Sequence, residues 1–165
     1  MFHLTPETEE DGYEVEYLYD LAFAPGREAL SSYRLREDVA PVGALCLVAR
    51  DAYGVLAGAI RYWPVVIGEG RHAALLLGPV AVHPTYQGEG LGGLLVRESL
   101  DRAAGLGWHR VVLIGDAPYY GKFGFTRAEG LAFPPPTNPE RLLCRGLVDG
   151  AFAGVAGVIG SVLRS

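Results

Sequence analysis

LLLGPVAVHPTYQGEGLGGLLVRESL, residues 75–100, decides the fold of this chain, because an apolar run, a glycine-rich turn and a helix start follow one another in it. Gly88, Gly90 and Gly92 leave this turn without side chains that would keep a bulky anion away from the backbone N–H groups. The helix that follows directs the positive end of its dipole to the same place. We call residues 87–92 the elbow and interpret them as a cradle for a pyrophosphate group.

The segments around the elbow predict two neighbouring strands joined by a helix. Residues 73–82 form an almost unbroken apolar run, which is typical of a central strand covered on both faces. Gly78-Pro79 interrupts the run, and because proline has no N–H for the ladder, we expect the strand to bulge or to leave a neighbour there. Residues 91–106 show helical periodicity and lead to the apolar residues 110–114, so the two strands are predicted to run parallel.

The rest of the chain predicts a mixed α/β fold with a mostly antiparallel sheet. Apolar and β-branched runs separated by turn residues indicate strands, and apolar residues at helical spacing indicate helices. Residues 142–148 are predicted to be the final strand, and the Gly/Ala-rich run 151–163 is interpreted as a terminal strand or a packing segment. The other predicted elements are strands at 2–4, 44–49, 55–67 and 125–128, and helices at 13–23 and 27–37.

The charge balance argues against nucleic acid as a partner. The chain has 14 Lys and Arg residues against 19 Asp and Glu residues, and its formal net charge is −5. Proteins that bind duplex nucleic acid normally carry a basic surplus instead. Any anionic ligand must therefore be held by local donors.

Length, hydropathy and cysteine content predict one cytoplasmic domain over residues 1–165. A chain of 165 residues buries roughly two thirds of the surface that it exposes when unfolded. The run 151–163 is shorter than the ~20 residues that a spanning helix needs, and the N-terminus does not resemble a signal peptide, so no membrane association is predicted. Cys46 and Cys144 are interpreted as buried thiols. The histidines show no ligand spacing, so no metal site is predicted.

Seven acidic residues lie between positions 7 and 20, without a Lys or Arg among them. One interpretation is a solvated face at the start of a helix, where the dipole favours negative charge. The other is an acidic mouth that attracts a cationic substrate. The residues are Glu7, Glu9, Glu10, Asp11, Glu14, Glu16 and Asp20.

The elbow also matches the dinucleotide fingerprint through Gly88-x-Gly90-x-x-Gly93, with Asp116 where a ribose-binding acid would stand. Against this alternative, residues 83–87 separate the strand from the first glycine, and antiparallel strands precede the unit. A phosphate loop of nucleoside triphosphatases has less support, because no Lys-Ser/Thr pair follows the glycines.

Two motifs carry a resemblance to a known family. Val82-His83-Pro84 leading into Gln87-x-x-Gly90-x-Gly92 resembles the acyl-CoA signature of the GCN5-related N-acetyltransferase (GNAT) superfamily. Tyr120-x-x-x-Gly124-Phe125 is similar to the downstream tyrosine motif of the same superfamily. The segments LLLGPVAVHP, residues 75–84, and GDAPYYGKFGF, residues 115–125, together make the chain most similar to the bacterial YhbS-like branch, and the likeness runs less sharply from the first strand to about residue 148.

The resemblance implies a fold, a reaction and a set of site residues. The two parallel strands would splay around the pantetheine arm of acetyl-CoA, and a primary amine of a small molecule or peptide would attack the thioester directly. Tyr120 would be the acid that protonates the departing thiolate. Backbone groups of Val80, Ala81 and Val82 would pair with the pantetheine amides. The pyrophosphate would be held by the amides of Gln87, Gly88, Glu89, Gly90, Leu91 and Gly92.

No motif identifies the general base or the acceptor. His83 is the titratable group nearest to the predicted strand end, but a histidine before a proline at that position is more typical of a cap or of the surface. A water chain is the alternative base. The acceptor is a primary amine, with a cationic compound as one hypothesis, and the protein is expected to be a monomer or a homodimer. The alternative function is a non-catalytic acyl-CoA-binding or interaction module on the same fold.

Overall fold

A computed structural model describes residues 1–23 and 31–163, in which one mixed sheet carries the fold. The strand order is β1-β2-β3-β4-β5-β8-β6, with β9 paired to β3 and β7 paired to β9. Only the β4–β5 and β7–β9 pairs in this part of the chain are parallel, which confirms the predicted mixed sheet. The strands are β1 (His3–Pro6), β2 (Leu47–Arg50), β3 (Leu56–Ile67), β4 (His72–Val82), β5 (Arg110–Ile114), β6 (Thr126–Arg127), β7 (Leu131–Ala132), β8 (Leu142–Gly146) and β9 (Gly157–Ser161).

Helices cover both faces of this sheet. The prediction of a helix over residues 13–23 is confirmed by α1, whereas the predicted helix over residues 27–37 falls partly outside the described residues. Of its described part only α2 is helical, and residues 35–38 form a turn. The helices are α1 (Gly12–Ala22), α2 (Ser31–Arg34), α3 (Leu91–Gly105) and α4 (Ala117–Gly121).

The two faces of the sheet have separate cores. The helical periodicity of residues 91–106 predicts an apolar stripe, and α3 buries it on one face through Leu95, Val96, Ser99, Leu100 and Ala103. The hydroxyl of Ser99 is hydrogen-bonded to that of Tyr62 at 2.7 Å. On the opposite face, Val15 and Leu18 of α1 pack over β2, β3 and β4. A further cluster on that face joins Leu35 to β9 and to the loop after β7. Burying an aliphatic side chain of this size contributes about 1.5–3 kcal/mol, so α1 and α3 hold β4 from both sides.

The parallel pair β4–β5 diverges where the sequence predicts an irregularity. The ladder between the two strands consists of Leu75 with Val111 and Leu76 with Val112, and it ends there. On the other side of β4, the register with β3 shifts between Ile60 and Tyr62, opposite Gly78-Pro79. Both predicted effects of the proline, the bulge and the loss of a neighbour, are therefore confirmed. The result is a gap between the carboxyl ends of β4 and β5.

Two sequence predictions are wrong. The segment around β8 is not the final strand, because β9 follows inside the Gly/Ala-rich run and pairs with residues 65–67 of β3. This pairing confirms the terminal strand that is one of the two interpretations of residues 151–163. The small residues of this run show no alternation of large apolar and polar side chains. They also allow two backbone segments to approach closely, since a Cβ on Gly157 would lie 2.8 Å from the Cα of Gly68. Cys46 is buried as predicted, but Cys144 is only half-buried, since the two-residue strand β6 covers β8 incompletely.

Candidate active site

The elbow connects β4 to α3 and depends on glycines for its backbone conformation. Gly88 and Gly90 have φ values of 86° and 78°, in the left-handed region that L side chains rarely adopt. A Cβ on either residue would meet no atom within 4 Å, so conformation rather than crowding requires glycine at these positions. Both glycines are exposed, and the elbow therefore opens to solvent.

The elbow presents backbone N–H groups that the fold leaves unused. Among the described residues, the amides of Gly88, Glu89, Gly90, Leu91 and Gly92 donate no backbone hydrogen bond, whereas the amide of Leu94 bonds to Gly90 O at 3.1 Å. The first amides of a helix have no partner within it, and the helix dipole makes this end positive. The amide of Gln87 differs, because it bonds to Pro84 O at 3.4 Å.

The backbone of β4 faces the gap at alternate residues. The amide of His83 bonds to Ala57 O of the adjoining segment at 2.8 Å. In an antiparallel pair, residues alternate between bonding the partner strand and pointing away from it. The N–H and C=O groups of Val80 and Val82 therefore face the gap, whereas those of Ala81 face β3. The side chain of Ala81 is buried under α1, so Ala81 lines the gap less directly than its two neighbours.

Tyr120 stands at the end of β5, across the gap from β4. Its ring packs against Gly115, where a Cβ would lie 2.6 Å from the ring. The amides of Phe123 and Phe125 both bond to Tyr120 O, at 3.0 and 3.3 Å, and this closed turn explains the spacing of the tyrosine motif. The Tyr120 hydroxyl forms no hydrogen bond with any described residue, and burial, with a smaller effect of Tyr119, raises its pKa to about 12.

Three residues that the motifs did not single out lie beside the elbow. The hydroxyl of Tyr119 is 3.2 Å from the position of a Cβ on Gly92. Lys122 lies 4.2 Å from the centroid of the Tyr119 ring, and Arg97 lies 5.0 Å from that of Phe123. Neither cation forms an ion pair with a carboxylate in residues 1–23 or 31–163. Helical periodicity over residues 91–106 predicts a polar face that includes Arg97, but the contact of Arg97 with Phe123 follows only from the tertiary fold.

Asp116 and His83 both cap short helical segments. The carboxylate of Asp116 accepts a hydrogen bond from the amide of Tyr119 at 3.2 Å, so it caps α4 and is not presented as a free ribose ligand. His83 Nδ1 accepts from the amide of Thr85 at 3.1 Å, which confirms the capping interpretation. The His83 ring also lines a surface groove of about 330 Å³ with Tyr13 and Tyr17 of α1.

Two arginines of the sheet form ion pairs with part of the acidic run. Arg50 pairs with Asp11 at 2.8 Å and with Glu14 at 2.9 Å. Arg61 pairs with Glu7 at 2.7 Å and also contacts Glu16. These pairs tie α1 and the segment before it to β2 and β3, so part of the run has a structural role that the sequence did not reveal. The hypothesis of a cationic substrate stays a prediction, supported by the remaining exposed carboxylates.

The described residues contain neither a membrane-spanning helix nor a metal-binding cluster. No helix in residues 1–23 or 31–163 has the length and apolarity that crossing a membrane requires. The same residues contain no group of three or more His, Cys, Asp or Glu side chains arranged to hold a metal ion.

Comparisons with known proteins agree with this geometry. The model of the acetyltransferase (GNAT) domain matches residues 42–127. The chain is 32% identical to the uncharacterized N-acetyltransferase YhbS of Escherichia coli over 151 residues, which cover 90% of this chain and 89% of YhbS. It is also 32% identical to the uncharacterized N-acetyltransferase YjhQ of the same organism, over 87% of this chain and 80% of YjhQ.

Solved structures extend the likeness to the fold. The crystal structure of YhbS in complex with CoA superposes with a TM-score of 0.85 at 29% identity, covering 97% of this chain and 89% of that chain. A GNAT family acetyltransferase from Brucella melitensis, in complex with acetyl-CoA, gives a TM-score of 0.74 at 29% identity, covering 99% and 97%. Fold, motifs and relatives thus agree, and the chain belongs to the GNAT family of acetyltransferases.

Proposed function

We propose that this chain is an N-acetyltransferase that transfers the acetyl group of acetyl-CoA to a primary amine of a small molecule or peptide. The observation that carries the proposal is the succession of elbow amides, unpaired β4 edge and Tyr120 hydroxyl around one gap. This succession matches a ligand with a pyrophosphate, an extended amide-containing arm and a thioester. The CoA complexes of the two relatives support the same ligand.

The elbow binds the pyrophosphate through the amides of residues 88–92. A hydrogen bond to a charged group contributes about 1.5–3 kcal/mol, and the dipole of α3 acts in the same direction. Arg97 and Lys122 add positive charge beside the elbow. Charges farther away than about 8 Å are largely screened, so a protein of net charge −5 holds a polyanion at this end.

The gap binds the pantetheine arm as a sheet binds an added strand. Val80 and Val82 pair with the arm amides through their backbone groups, and Ala81 supports them by packing under α1. A backbone N–H of this strand polarises the thioester carbonyl. Because these groups are fixed by the β3–β4 ladder, little reorganisation is needed when charge develops on the carbonyl oxygen.

The reaction is a direct transfer. The amine nitrogen forms a bond to the thioester carbon, the carbon–sulfur bond breaks, and the sulfur leaves as a thiolate. The hydroxyl of Tyr120 donates to that sulfur. The Tyr120 pKa of about 12 lies above the ~8.5 of an ordinary thiol, so giving its proton to the thiolate is unfavourable by itself. The tyrosine therefore has to be reprotonated by the proton that the attacking amine releases. That proton restores Tyr120, and the products are an N-acetyl amide and free CoA.

The base is assigned to solvent water. The strand β4 contains no carboxylate, and His83 already uses Nδ1 as a cap. Water reaching the gap therefore carries the amine proton.

We also propose a single catalytic domain over residues 1–165 that works in the cytoplasm, an assignment supported by free cysteines at positions 46 and 144.

The test is a turnover assay with the full chain. Acetyl-CoA is incubated with a panel of amines, amino acids and peptides, and free thiol is measured. We expect at least one acceptor to release CoA above the hydrolysis background. CoA binding without any turnover would favour the non-catalytic acyl-CoA-binding module. Thermal stabilisation by NAD and not by CoA would overturn the assignment of the elbow.

A further inference from the structure

Arg36 is a buried cation for which the described part of the chain offers no anionic partner. It follows α2, only 9% of it is exposed, and its Nε has no hydrogen-bond partner. Its guanidinium lies between two aromatic rings, 3.4 Å from the centroid of Tyr33 and 4.3 Å from that of Trp63. Burial lowers the pKa of the guanidinium from its usual value, which reflects the cost of desolvating its charge.

Other arginines on this side of the sheet are compensated. Arg50 and Arg61 each contact two carboxylates of the acidic run. Within residues 1–23 and 31–163, no carboxylate lies within ion-pair distance of Arg36. Tyr33 favours the charge of Arg36 through a side-chain hydrogen bond but carries no carboxylate, and the weaker influence of Arg61 opposes that charge because Arg61 is itself positive. A buried charge that no described carboxylate pairs is unfavourable, so its presence requires an explanation.

The position of Arg36 is next to the gap. Trp63, on which it stacks, pairs with Leu76, the last β4 residue in the ladder with β5. The Tyr19 hydroxyl also interacts electrostatically with Arg36, and it donates to Pro79 O at 3.2 Å, in the diverging part of β4. Arg36 therefore lies over β3 at the level where the gap opens.

The face of the sheet also fits an acceptor. Tyr62 belongs to the core under α3, and because side chains alternate along a strand, its neighbour Trp63 faces the opposite side. Tyr120 packs against the α3 core. Tyr120 thus approaches the leaving sulfur from the face of the sheet that α3 covers. The incoming amine therefore approaches from the opposite face, where Arg36 lies.

We propose that Arg36 binds a carboxylate of the acceptor, so that the substrate class is an amine that also carries a carboxylate, such as an amino acid. This inference rests on the proposed acetyl transfer. A guanidinium presents paired N–H donors in the geometry of a carboxylate, and the two rings hold its plane in place. A bound carboxylate supplies the anion that residues 1–23 and 31–163 do not provide.

The experiment compares matched acceptors. The common L-amino acids and their carboxamides are assayed for CoA release with the wild-type chain and with Arg36→Gln, Arg36→Lys and the control Arg34→Gln. Arg34 is exposed on α2. We expect Arg36→Gln to lower kcat/KM for the best acid by about 100-fold and for its amide by less than about 3-fold, since a site built for a polar group discriminates through it. Arg36→Lys should recover part of the kcat/KM that Arg36→Gln loses for the acid. Arg34→Gln should leave kcat/KM unchanged for both the acid and the amide.

A binding measurement keeps the test independent of turnover. The complex of the chain with CoA is titrated calorimetrically with N-acetyl amino acids and with the matching N-acetyl amides. The wild-type chain should bind the acid more tightly, and Arg36→Gln should remove the difference. Equal affinity of the wild-type chain for acid and amide, or equal loss of both in a folded Arg36→Gln variant, would overturn the inference and leave the stack a structural contact. Absence of turnover with every amine, together with preferential acid binding, would contradict the proposed function alone.

Discussion

The ring of Tyr120 lies directly on the bare backbone of Gly115: a Cβ on Gly115 would be 2.6 Å from Tyr120 Cε2 and 2.9 Å from Leu113 Cδ1. Leu113 is a core residue of β5, so the tyrosine must move if Gly115 gains a side chain. The position of the proposed acid is therefore set by a residue that has no chemistry of its own.

We expect Gly115→Ala to lower kcat by about 10-fold or more, because small displacements of a positioned group are costly. Gly121→Ala is the matched control, since a Cβ there meets nothing within 4 Å and its φ is not positive. Steady-state kinetics of both variants, with circular dichroism to confirm folding, make the comparison. Equal kcat values would show that the ring tolerates the shift.

Tyr120→Phe should reduce kcat by about 10²–10⁴-fold, the range for loss of a general acid, with little change in the KM for acetyl-CoA. In the wild-type chain, a pKa raised to about 12 keeps Tyr120 protonated throughout the neutral and mildly alkaline range. The pH profile of kcat should consequently rise as the acceptor amine deprotonates and should not fall between pH ~7 and ~10. A decline in that range that disappears in Tyr120→Phe would contradict this assignment, and Tyr53→Phe, at an exposed site, serves as the control.

Gly90→Ala should weaken CoA binding and lower stability. A residue with a Cβ pays a conformational strain of about 1–2 kcal/mol at its φ of 78°. Relaxation of that strain would move the elbow amides. Gly105→Ala near the end of α3 meets nothing within 4 Å and, as a helical Gly→Ala change, should stabilise by about 0.5–1 kcal/mol. Calorimetric titration with CoA and thermal unfolding measure the two effects. An unchanged CoA affinity in Gly90→Ala would argue against the elbow as the anion site.

Arg97→Gln and Lys122→Gln should each raise the Kd for CoA by about 2–5-fold, as expected for exposed charges, and should weaken its dependence on salt. Arg102→Gln is the control on the same helix, because Arg102 pairs with Glu98 at 3.3 Å. Repeating the titrations with dephospho-CoA locates the interaction. An undiminished effect with that ligand assigns the cations to the pyrophosphate, and a lost effect assigns them to the 3′-phosphate. No effect with either ligand would contradict a role in binding.

Arg61→Gln should destabilise the fold by about 3 kcal/mol, since removing one partner leaves mostly buried charges uncompensated. The side chains of Arg61 and Glu7 are only 14% and 13% exposed. Urea denaturation measures the change against Arg102→Gln, whose exposed pair with Glu98 is worth less than about 1 kcal/mol. Equal losses would mean that the Arg61 contacts are no stronger than surface pairs.

Local patterns in the sequence predict the elements that position the site. The buried stripe of α3, the parallel pair β4–β5 and its divergence at Gly78-Pro79 all follow from periodicity and from the missing N–H of proline. The contacts around Arg36, on the face proposed for the acceptor, do not follow in this way. Arg36 meets Trp63 across 27 positions of the chain, and no short-range pattern encodes such a stack.

The limits of the sequence are clearest where side chains are small or long. Glycine and alanine leave β9 ambiguous, because a run without large side chains shows no alternation and so does not decide between a terminal strand and a packing segment. Long charged side chains conceal the opposite kind of information: Glu7 and Glu16 read as a solvated face until Arg61 is placed between them. The sequence shows that these charges are present, but only the tertiary fold determines which carboxylate pairs with which arginine.

The divergence of β4 from β5 gives the sheet an edge in its interior. Exposed edges at the rim of a sheet invite other chains to pair with them and to aggregate. Here the unpaired groups of β4 lie between two strands of the same sheet, which stay joined by the ladder at Leu75 and Leu76, so they are not at the rim where another sheet could add. The same opening thus gives the protein the recognition capacity of a sheet edge while protecting it from self-association through that edge.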